Sequence, residues 1–192
     1  EFSGWRINAA TVTADYDSLR ATVTLAVGPG SPISSVCSSG GWCWRNPLPQ
    51  GGYLPSVWAA DASNAWTVGD QGLILRWNGT SWDQVTSGTT QNLLAVWGLD
   101  RNNIWAVGVG GVIVKWNGTS WAVQSSGTTQ SLSAVWGWDA SNVWAAGANG
   151  TILKWDGSAW KMQPSGTPAY LRGLFGTSAS SVWAVGQSGT IV

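Results

Sequence analysis

Histidine is absent from the 192-residue sequence, and only 9% of the residues are charged, nine basic side chains against nine acidic ones. Ordinary soluble domains have about a quarter of their residues charged. Because the chain has no excess of Lys and Arg, nucleic acid is not an expected partner. No apolar run approaches the roughly 20 residues that a membrane-spanning helix needs, so no membrane span is expected.

The lack of histidine also bears on catalysis. It excludes Ser-His-Asp and Cys-His arrangements and removes the commonest general base. The only glutamate is Glu1, the aspartates stand mostly in turn sequences without visible pairing, and the arginines do not form a recurring set. A glycosidase would need a pair of carboxylates. We therefore expect neither an enzyme nor a cofactor.

Only two cysteines are present, Cys37 and Cys43, in the Gly- and Ser-rich stretch VCSSGGWCW. One local disulfide in an oxidising compartment is the simplest interpretation, with two free thiols as the alternative. Two thiolates without histidine cannot complete a tetrahedral zinc site, so no metal is expected. The chain begins at Glu1 and shows no signal-peptide core. We expect a processed product that is secreted or exposed at the cell surface.

Tryptophan is the residue present in excess, with 17 copies beside 26 glycines. These residues reveal an internal repeat with a constant step of 39 positions and no insertion. The series that keep this step are Trp58, Trp97, Trp136 and Phe175; Trp66, Trp105, Trp144 and Trp183; Trp77, Trp116 and Trp155; Trp82, Trp121 and Trp160; and Gly72, Gly111, Gly150 and Gly189.

Each repeat divides into four short segments, which in the middle repeat cover 93–98, 103–108, 111–116 and 120–127. Turn-type residues separate them and none shows helical periodicity, which predicts a four-stranded antiparallel meander. A meander of about 40 residues matches one blade of a β-propeller. Most segments are apolar on both faces, as expected for a sheet packed between two neighbouring sheets. The sequence therefore predicts an all-β propeller.

The repeats run Leu54–Asn92, Leu93–Ser131 and Leu132–Tyr170, and a fourth begins at Leu171 and ends at Val192 within its third strand. The segment Trp42–Pro47 is similar to the fourth strand of a repeat. We expect it to complete the last blade and hide its open edge, which gives four blades. An arc of a larger propeller is the alternative.

We assign residues 37–192 to the propeller. Residues 1–36 lie outside the repeat and contain a strand at Ala21–Val27 with a partner near Ala10–Thr13. They are expected to form a small β-hairpin extension or the end of a preceding β-domain.

The turn between the third and fourth strands reads RWNGTSW, KWNGTSW and KWDGSAW in successive repeats. It resembles a degenerate form of the Asp-box hairpin of sialidase-like propellers. It departs from that motif because Asn78, Asn117 and Asp156 are followed directly by glycine, so that the box is one residue short. The whole repeat resembles the Trp-rich propeller repeats of secreted bacterial proteins. The resemblance implies a propeller fold and a structural role for the hairpin.

Candidate ligand-binding residues recur once in each repeat. Indole rings suit both sugar rings and protein contacts, and neighbouring cations could bind hydroxyl groups. For the recurring tryptophans, packing in the core and contact with a ligand both stay open. Trp138 occurs in one repeat only and is not explained by the repeat pattern. The candidates are Trp58, Trp97, Trp136, Trp138, Arg76, Lys115 and Lys154.

Two functions are compatible with these features. The first is a non-catalytic interaction or structural module of a secreted, surface or fibre-forming protein, with a protein partner. The apolar strand at 21–27 offers a route to self-association by strand addition. The second is a lectin-like carbohydrate-binding propeller that binds glycans through one weak site per blade, strengthened by multivalency.

Overall fold

In a computed structural model of the chain, the described residues are 10–16, 19–25 and 53–192. The chain divides into two compact units, Glu1–Pro47 and Leu48–Val192. The predicted boundary between residues 36 and 37 lies outside the described residues and stays a prediction. The predicted disulfide and the segment predicted to complete the last blade lie outside the described residues.

The described residues of the first unit, 10–16 and 19–25, form an antiparallel hairpin. Its strands are β1 (Ala10–Tyr16) and β2 (Leu19–Leu25), and Val12 is opposite Val23. The strand predicted at 21–27 and its partner near 10–13 overlap these two strands.

The second unit consists of sheets that repeat with the period of the sequence. The first sheet contains β3 (Ser56–Asp61), β4 (Asn64–Val68), β5 (Ile74–Trp77) and β6 (Trp82–Gln84). The second contains β7 (Leu93–Asp100), β8 (Asn103–Gly108), β9 (Ile113–Trp116) and β10 (Trp121–Gln124). The third contains β11 (Leu132–Asp139), β12 (Asn142–Gly147), β13 (Ile152–Trp155) and β14 (Trp160–Gln163). The fourth contains β15 (Leu171–Ser178) and β16 (Ser181–Gly186), with an isolated bridge between Val185 and Ile191.

Every strand in these sheets pairs antiparallel with its neighbour in the chain, as a meander requires. We call the strands of each sheet A, B, C and D in chain order. Strand A is longer than predicted: in the second sheet it continues through an irregularity after Gly98 to Asp100. Such irregularities let a strand change direction without ending its pairing.

A three-residue turn whose middle residue has a positive φ angle precedes strand C in the first three sheets and the bridging residue Ile191 in the fourth, so the prediction that strand C starts at the repeated glycine was wrong. The turns are Asp70–Gly72, Val109–Gly111, Ala148–Gly150 and Gln187–Gly189. In the second sheet Gly110 and Gly111 have φ angles of 69° and 74°, outside the β region. The strand therefore begins only at Ile113.

Neighbouring sheets pack face to face along their A strands: β3 contacts β7, β7 contacts β11, and β11 contacts β15. The core lies between the sheets. Trp66 of the first sheet is buried against two rings of the second, with centroids 4.8 Å from Trp116 and 5.4 Å from Trp121. Trp105 is likewise buried in the core shared with Trp155 and Trp160. The sheets are thus blades of a β-propeller, and the predicted fold is confirmed.

Each interface between two blades, called a seam below, contains a close approach of a ring to a glycine. A Cβ atom added to Gly98 would lie 2.6 Å from Cη2 of Trp58, which belongs to the preceding blade. The same 2.6 Å separates Gly137 from Trp97, and Gly176 from Trp136. Glycine is therefore required because the outer end of the indole fills the place of a side chain.

Candidate binding surfaces

Three of the predicted ligand residues lie in the seams. Trp58, Trp97 and Trp136 are partly buried and each covers the glycine of the next blade. Trp97 also stacks on Trp105 of its own blade, with ring centroids 5.8 Å apart. These contacts give the rings a packing role, and a contact with ligand stays a prediction.

The predicted cations face indole rings in the same seams. Lys115 Nζ lies 4.9 Å from the ring centroid of Trp105 and 5.5 Å from that of Trp155 in the next blade. Lys154 Nζ lies 5.0 Å from the centroid of Trp144. A cation over an indole is attracted by the negative face of the ring. Lys115 therefore links two blades.

Arg76 takes the corresponding place in the first seam. Its Cζ lies 5.3 Å from the Trp66 centroid and 6.0 Å from that of Trp116. Its Nη2 donates a hydrogen bond of 3.2 Å to Oδ1 of Asn64. Repeat spacing alone could not reveal this role, because the second ring belongs to the following repeat.

The A–B hairpins carry aspartates that fix their own turns. Asp100 Oδ1 accepts hydrogen bonds from the backbone N–H groups of Asn102, at 2.7 Å, and Asn103, at 3.0 Å. Desolvation raises the pKa of Asp100, but these hydrogen bonds outweigh it and the net pKa is lowered. Hydrogen bonds from Asn64, the largest cause, and Ser63 lower the pKa of Asp61. These carboxylates therefore stay ionised at neutral pH.

A cleft of about 720 Å³ opens at this end of the first seam. The lining includes Trp58, Asp61, Leu99, Asp100, Arg101 and Asn102. Arg101 Nε lies 2.8 Å from Asp61 Oδ2, so an ion pair spans the seam beside the cleft. Sequence reasoning missed Leu99 and Arg101 as site residues, although Arg101, like Trp138, differs from its counterparts in the other repeats.

Trp138 lies at the same end, one blade further along. Its counterparts at the 39-residue spacing are Ala60, Leu99 and Thr177. Trp138 is 50% exposed and Leu99 is 38% exposed. Neighbouring blades thus present apolar side chains at one position, bordered by Asp100, Arg101 and Asp139. We call Leu99, Asp100, Arg101, Trp138 and Asp139 the A–B rim.

The C–D hairpins are held by their first residue. Asn78 Oδ1 accepts hydrogen bonds from the backbone N–H groups of Thr80, at 2.9 Å, and Ser81, at 3.0 Å. Asp156 accepts the corresponding pair in the third blade and lies 2.6 Å from Lys161 Nζ. The hydrogen bond from Lys161 is the main cause of the strongly lowered pKa of Asp156.

Two further searches concern the described residues alone. No group of three or more His, Cys, Asp or Glu side chains among them could hold a metal ion. Nor does any helix in this part of the chain have the length and apolarity to cross a membrane.

No protein-family model and no curated protein matches the chain. Among solved structures, YCF48 from Cyanidioschyzon merolae is similar, with a TM-score of 0.60 and 20% identity over 72% of this chain and 49% of that one. A structure of YCF48 bound to D1 peptide has a TM-score of 0.54 and 17% identity over 73% of this chain and 48% of that one. The chain thus spans about half the length of these YCF48 chains. At such identities the likeness shows the propeller fold.

Proposed function

We propose that this chain is a non-catalytic protein-interaction module of a secreted or cell-surface protein, and that it binds an extended segment of its partner on the A–B rim. The half-exposed indole of Trp138 carries the proposal. Among residues 53–192 this indole makes no hydrogen bond and no ring contact, in contrast to Trp97 and Trp160. Tryptophan is enriched among the residues that dominate binding energies at protein interfaces.

The composition of the rim suits a peptide. Leu99 and Trp138 provide apolar contact area on adjacent blades, and the cleft at the first seam adds depth beside Leu99. Asp100, Asp139 and Arg101 border this apolar area. An apolar centre with a polar border is the usual organisation of a protein-binding surface.

The structural relatives agree with this use of the fold. The YCF48 structure with a bound D1 peptide is a propeller in complex with a peptide. That example supports a peptide ligand for this chain as a hypothesis. The residues that would bind it here are those of the A–B rim.

The other parts of the proposal rest on the sequence. The chain has no histidine and a single glutamate, which supports a role without catalysis. The closely spaced pair Cys37 and Cys43 supports an oxidising, extracellular location.

A lectin-like function is the second candidate, and the same exposed indole favours it. An indole face can stack on a sugar ring as well as on a peptide side chain. The counterparts Ala60, Leu99 and Thr177 are not aromatic, so such a site would exist on one blade only. Glycan binding would then depend on a single site, without the multivalency of one site per blade that the sequence suggested.

A library of random linear peptides displayed on phage tests the proposal. Peptides selected on the wild-type chain are measured against Trp138→Ala and against Met162→Ala. Met162 is 56% exposed but lies on strand β14. Strands β12 and β13 separate β14 from β11, the strand that carries Trp138. We expect Trp138→Ala to weaken binding at least about tenfold and Met162→Ala to leave it unchanged.

A glycan array with the same variants distinguishes the two candidates. Peptide binding that depends on Trp138, with no glycan bound, supports the proposal. Glycan binding that is lost in Trp138→Ala, with no peptide selected, overturns it in favour of a lectin. Selected peptides that bind both variants as well as the wild type also overturn it.

A further inference from the structure

Asparagine stands directly before glycine three times in the sequence, and the structure gives the three pairs different surroundings. The pairs 78–79 and 117–118 lie in the C–D hairpins of the first and second blades, and the pair 149–150 lies in the turn before strand C of the third. All three asparagines are exposed. An asparagine in such a pair can react with its own main chain, because glycine has no side chain to hinder the approach of the backbone nitrogen.

The reaction needs only water as a second reactant. The backbone nitrogen of the glycine attacks Cγ of the asparagine and forms a C–N bond. The Cγ–Nδ2 bond breaks, and ammonia leaves with the proton of the glycine N–H. Water then opens the resulting cyclic imide at either carbonyl group, which gives aspartate or isoaspartate. Negative charge develops on Oδ1 during the attack, so hydrogen-bond donors placed around Oδ1 lower the barrier.

Asn117 has these donors in place before any reaction. Its Oδ1 accepts hydrogen bonds from the backbone N–H of Thr119 at 2.9 Å and from the Thr119 hydroxyl at 2.8 Å. A third comes from the backbone N–H of Ser120 at 2.9 Å. Within residues 53–192, neither Nδ2 of Asn117 nor the backbone N–H of Gly118 donates a hydrogen bond. The oxygen that takes up the charge is thus held, while the nucleophile and the leaving group are free to move.

Asn78 has the same donors but a restrained leaving group. Its Oδ1 accepts hydrogen bonds from the backbone N–H and hydroxyl of Thr80 and from the backbone N–H of Ser81. Its Nδ2, however, donates to Oδ2 of Asp83 at 2.7 Å and to Oγ of Ser81 at 3.0 Å. The charge of this carboxylate also opposes the negative charge that develops during the attack. The counterpart of Asp83 in the second blade is Ala122, so the two hairpins share the sequence WNGTSW and differ in the next residue.

Asn149 is restrained at both reacting groups. The backbone N–H of Gly150, the nucleophile of this pair, donates a hydrogen bond of 2.8 Å to the backbone oxygen of Ala169. Nδ2 of Asn149 donates one of 2.9 Å to Oε1 of Gln130. Attack on Cγ would require both hydrogen bonds to break, which raises the barrier.

The third blade shows that the hairpin accepts the product. Its hairpin begins with aspartate, and Oδ1 of Asp156 accepts hydrogen bonds of 2.9 Å from the backbone N–H groups of Ser158 and Ala159. These correspond to the backbone hydrogen bonds that Asn117 accepts in the second blade. An aspartate formed at position 117 can therefore keep the turn, whereas isoaspartate lengthens the main chain by a carbon atom.

We propose that Asn117 is a site of spontaneous modification, converted by its own main chain to aspartate or isoaspartate, whereas Asn78 and Asn149 persist as asparagine. The donors at Oδ1 make the C–D hairpins reactive. The absence of a carboxylate on the leaving amide then selects the second hairpin over the first.

The proposed modification site lies beside the A–B rim. Nε1 of Trp116 donates a hydrogen bond of 3.1 Å to the backbone oxygen of Arg101, a rim residue. A Cβ atom added to Gly118 would lie 2.9 Å from Oδ1 of Asn102. The conversion therefore adds a negative charge next to the rim. Any effect on peptide binding rests on the proposed function, but the conversion itself does not.

Peptide mapping by mass spectrometry tests the proposal on the full chain, kept in mildly alkaline buffer made with heavy-oxygen water. Each conversion is recognised because the opened imide carries an oxygen atom from this water, and fragmentation of the peptide distinguishes isoaspartate from aspartate. We expect Asn117 to convert at least about tenfold faster than Asn78, because a hydrogen bond to a charged group must break at Asn78. Asn149 should also convert at least about tenfold more slowly than Asn117.

Exchange of the residue that differs between the two hairpins provides the matched controls. Ala122→Asp should slow the conversion of Asn117 to within about threefold of the wild-type rate at Asn78. Asp83→Ala should speed the conversion of Asn78 to within about threefold of the wild-type rate at Asn117. Near-UV circular dichroism of each variant shows whether the blades are intact. In urea, where the hydrogen bonds of the hairpins are lost, the two positions should convert at rates within about threefold of each other.

The outcomes are decisive in both directions. Faster conversion at Asn117 that the exchanges reverse supports the proposal. Equal rates at Asn117 and Asn78 in the folded chain overturn it, and so does an Asn117 that stays intact while the chain in urea converts. An unchanged rate at Asn117 in Ala122→Asp, or a difference between the two positions that persists in urea, overturns it too. No peptide ligand enters these measurements, so this proposal and the proposed function fail independently.

Discussion

Trp160 Nε1 donates a hydrogen bond of 2.9 Å to Oε1 of Gln124, which links the D strands of the third and second blades. In the preceding seam the corresponding donor, Nε1 of Trp121, is buried without an acceptor among the described residues. The residue that corresponds to Gln124 is Val85. The indole N–H is thus hydrogen-bonded in the seam between the second and third blades and lacks an acceptor in the seam between the first and second.

Val85→Gln should therefore stabilise the protein. A buried donor without a partner costs about 1–3 kcal/mol, and part of this is recovered when an acceptor is supplied. We expect the free energy of unfolding to rise by about 1 kcal/mol in urea denaturation. The reciprocal change Gln124→Val should lower it by about 1–3 kcal/mol. A loss of stability in both variants would contradict this explanation.

Gly137→Ala tests the contact between ring and glycine in a seam. The added Cβ would lie 2.6 Å from Cη2 of Trp97, and overpacking of this kind costs about 1–3 kcal/mol. An alanine in place of a glycine stabilises many proteins by about 0.4–1 kcal/mol, so the direction of the effect is informative. Thermal and urea unfolding measure it.

The double variant Gly137→Ala with Trp97→Phe is the control. If a smaller ring makes room for the alanine, the two changes together should cost at least about 1 kcal/mol less than the sum of the single changes. Additive costs would show that the ring and the glycine are not coupled.

Trp66→Ala should be among the most damaging single changes. Trp66 is 1% exposed and contacts two tryptophans of the next blade. Truncation of a buried aromatic residue costs about 3–5 kcal/mol. Trp138→Ala, at a half-exposed ring, should change the stability by less than about 1 kcal/mol. Chemical denaturation of both variants provides the comparison, and equal losses would refute it.

Asp156→Asn should remove a pH-dependent contribution to stability. Lys161 and the turn hydrogen bonds lower the pKa of Asp156 below its value in the unfolded chain. Its contribution is therefore complete above about pH 4 and is lost as the pH falls through the lowered pKa. The hairpin itself should persist in the variant, because Asn78 and Asn117 form the same turn with asparagine.

The measurement is the urea midpoint of both proteins at neutral pH and at about pH 2. The wild type should lose more stability on acidification than Asp156→Asn does. Lys161→Gln should raise the pKa of Asp156 in an NMR titration. An unchanged titration would show that the ion pair does not act on this carboxyl group.

The fold could be predicted because the repeat is recorded in large residues with fixed spacing. Trp66 and Trp105 are each buried between their own blade and the next one. The 39-position spacing of these tryptophans therefore equals the length of one blade in the sequence. The roles of Lys115 and Arg76 could not be predicted, since each depends on a ring in the next repeat. The cleft beside Leu99 was missed because it forms only when the hairpins of two blades meet.

The seam contacts have a consequence for the history of the gene. Because the ring of one repeat meets the glycine of the next, a unit of 39 residues carries both sides of this contact. Unequal recombination that inserts or deletes a whole unit of 39 codons would therefore keep the contact at the new junction.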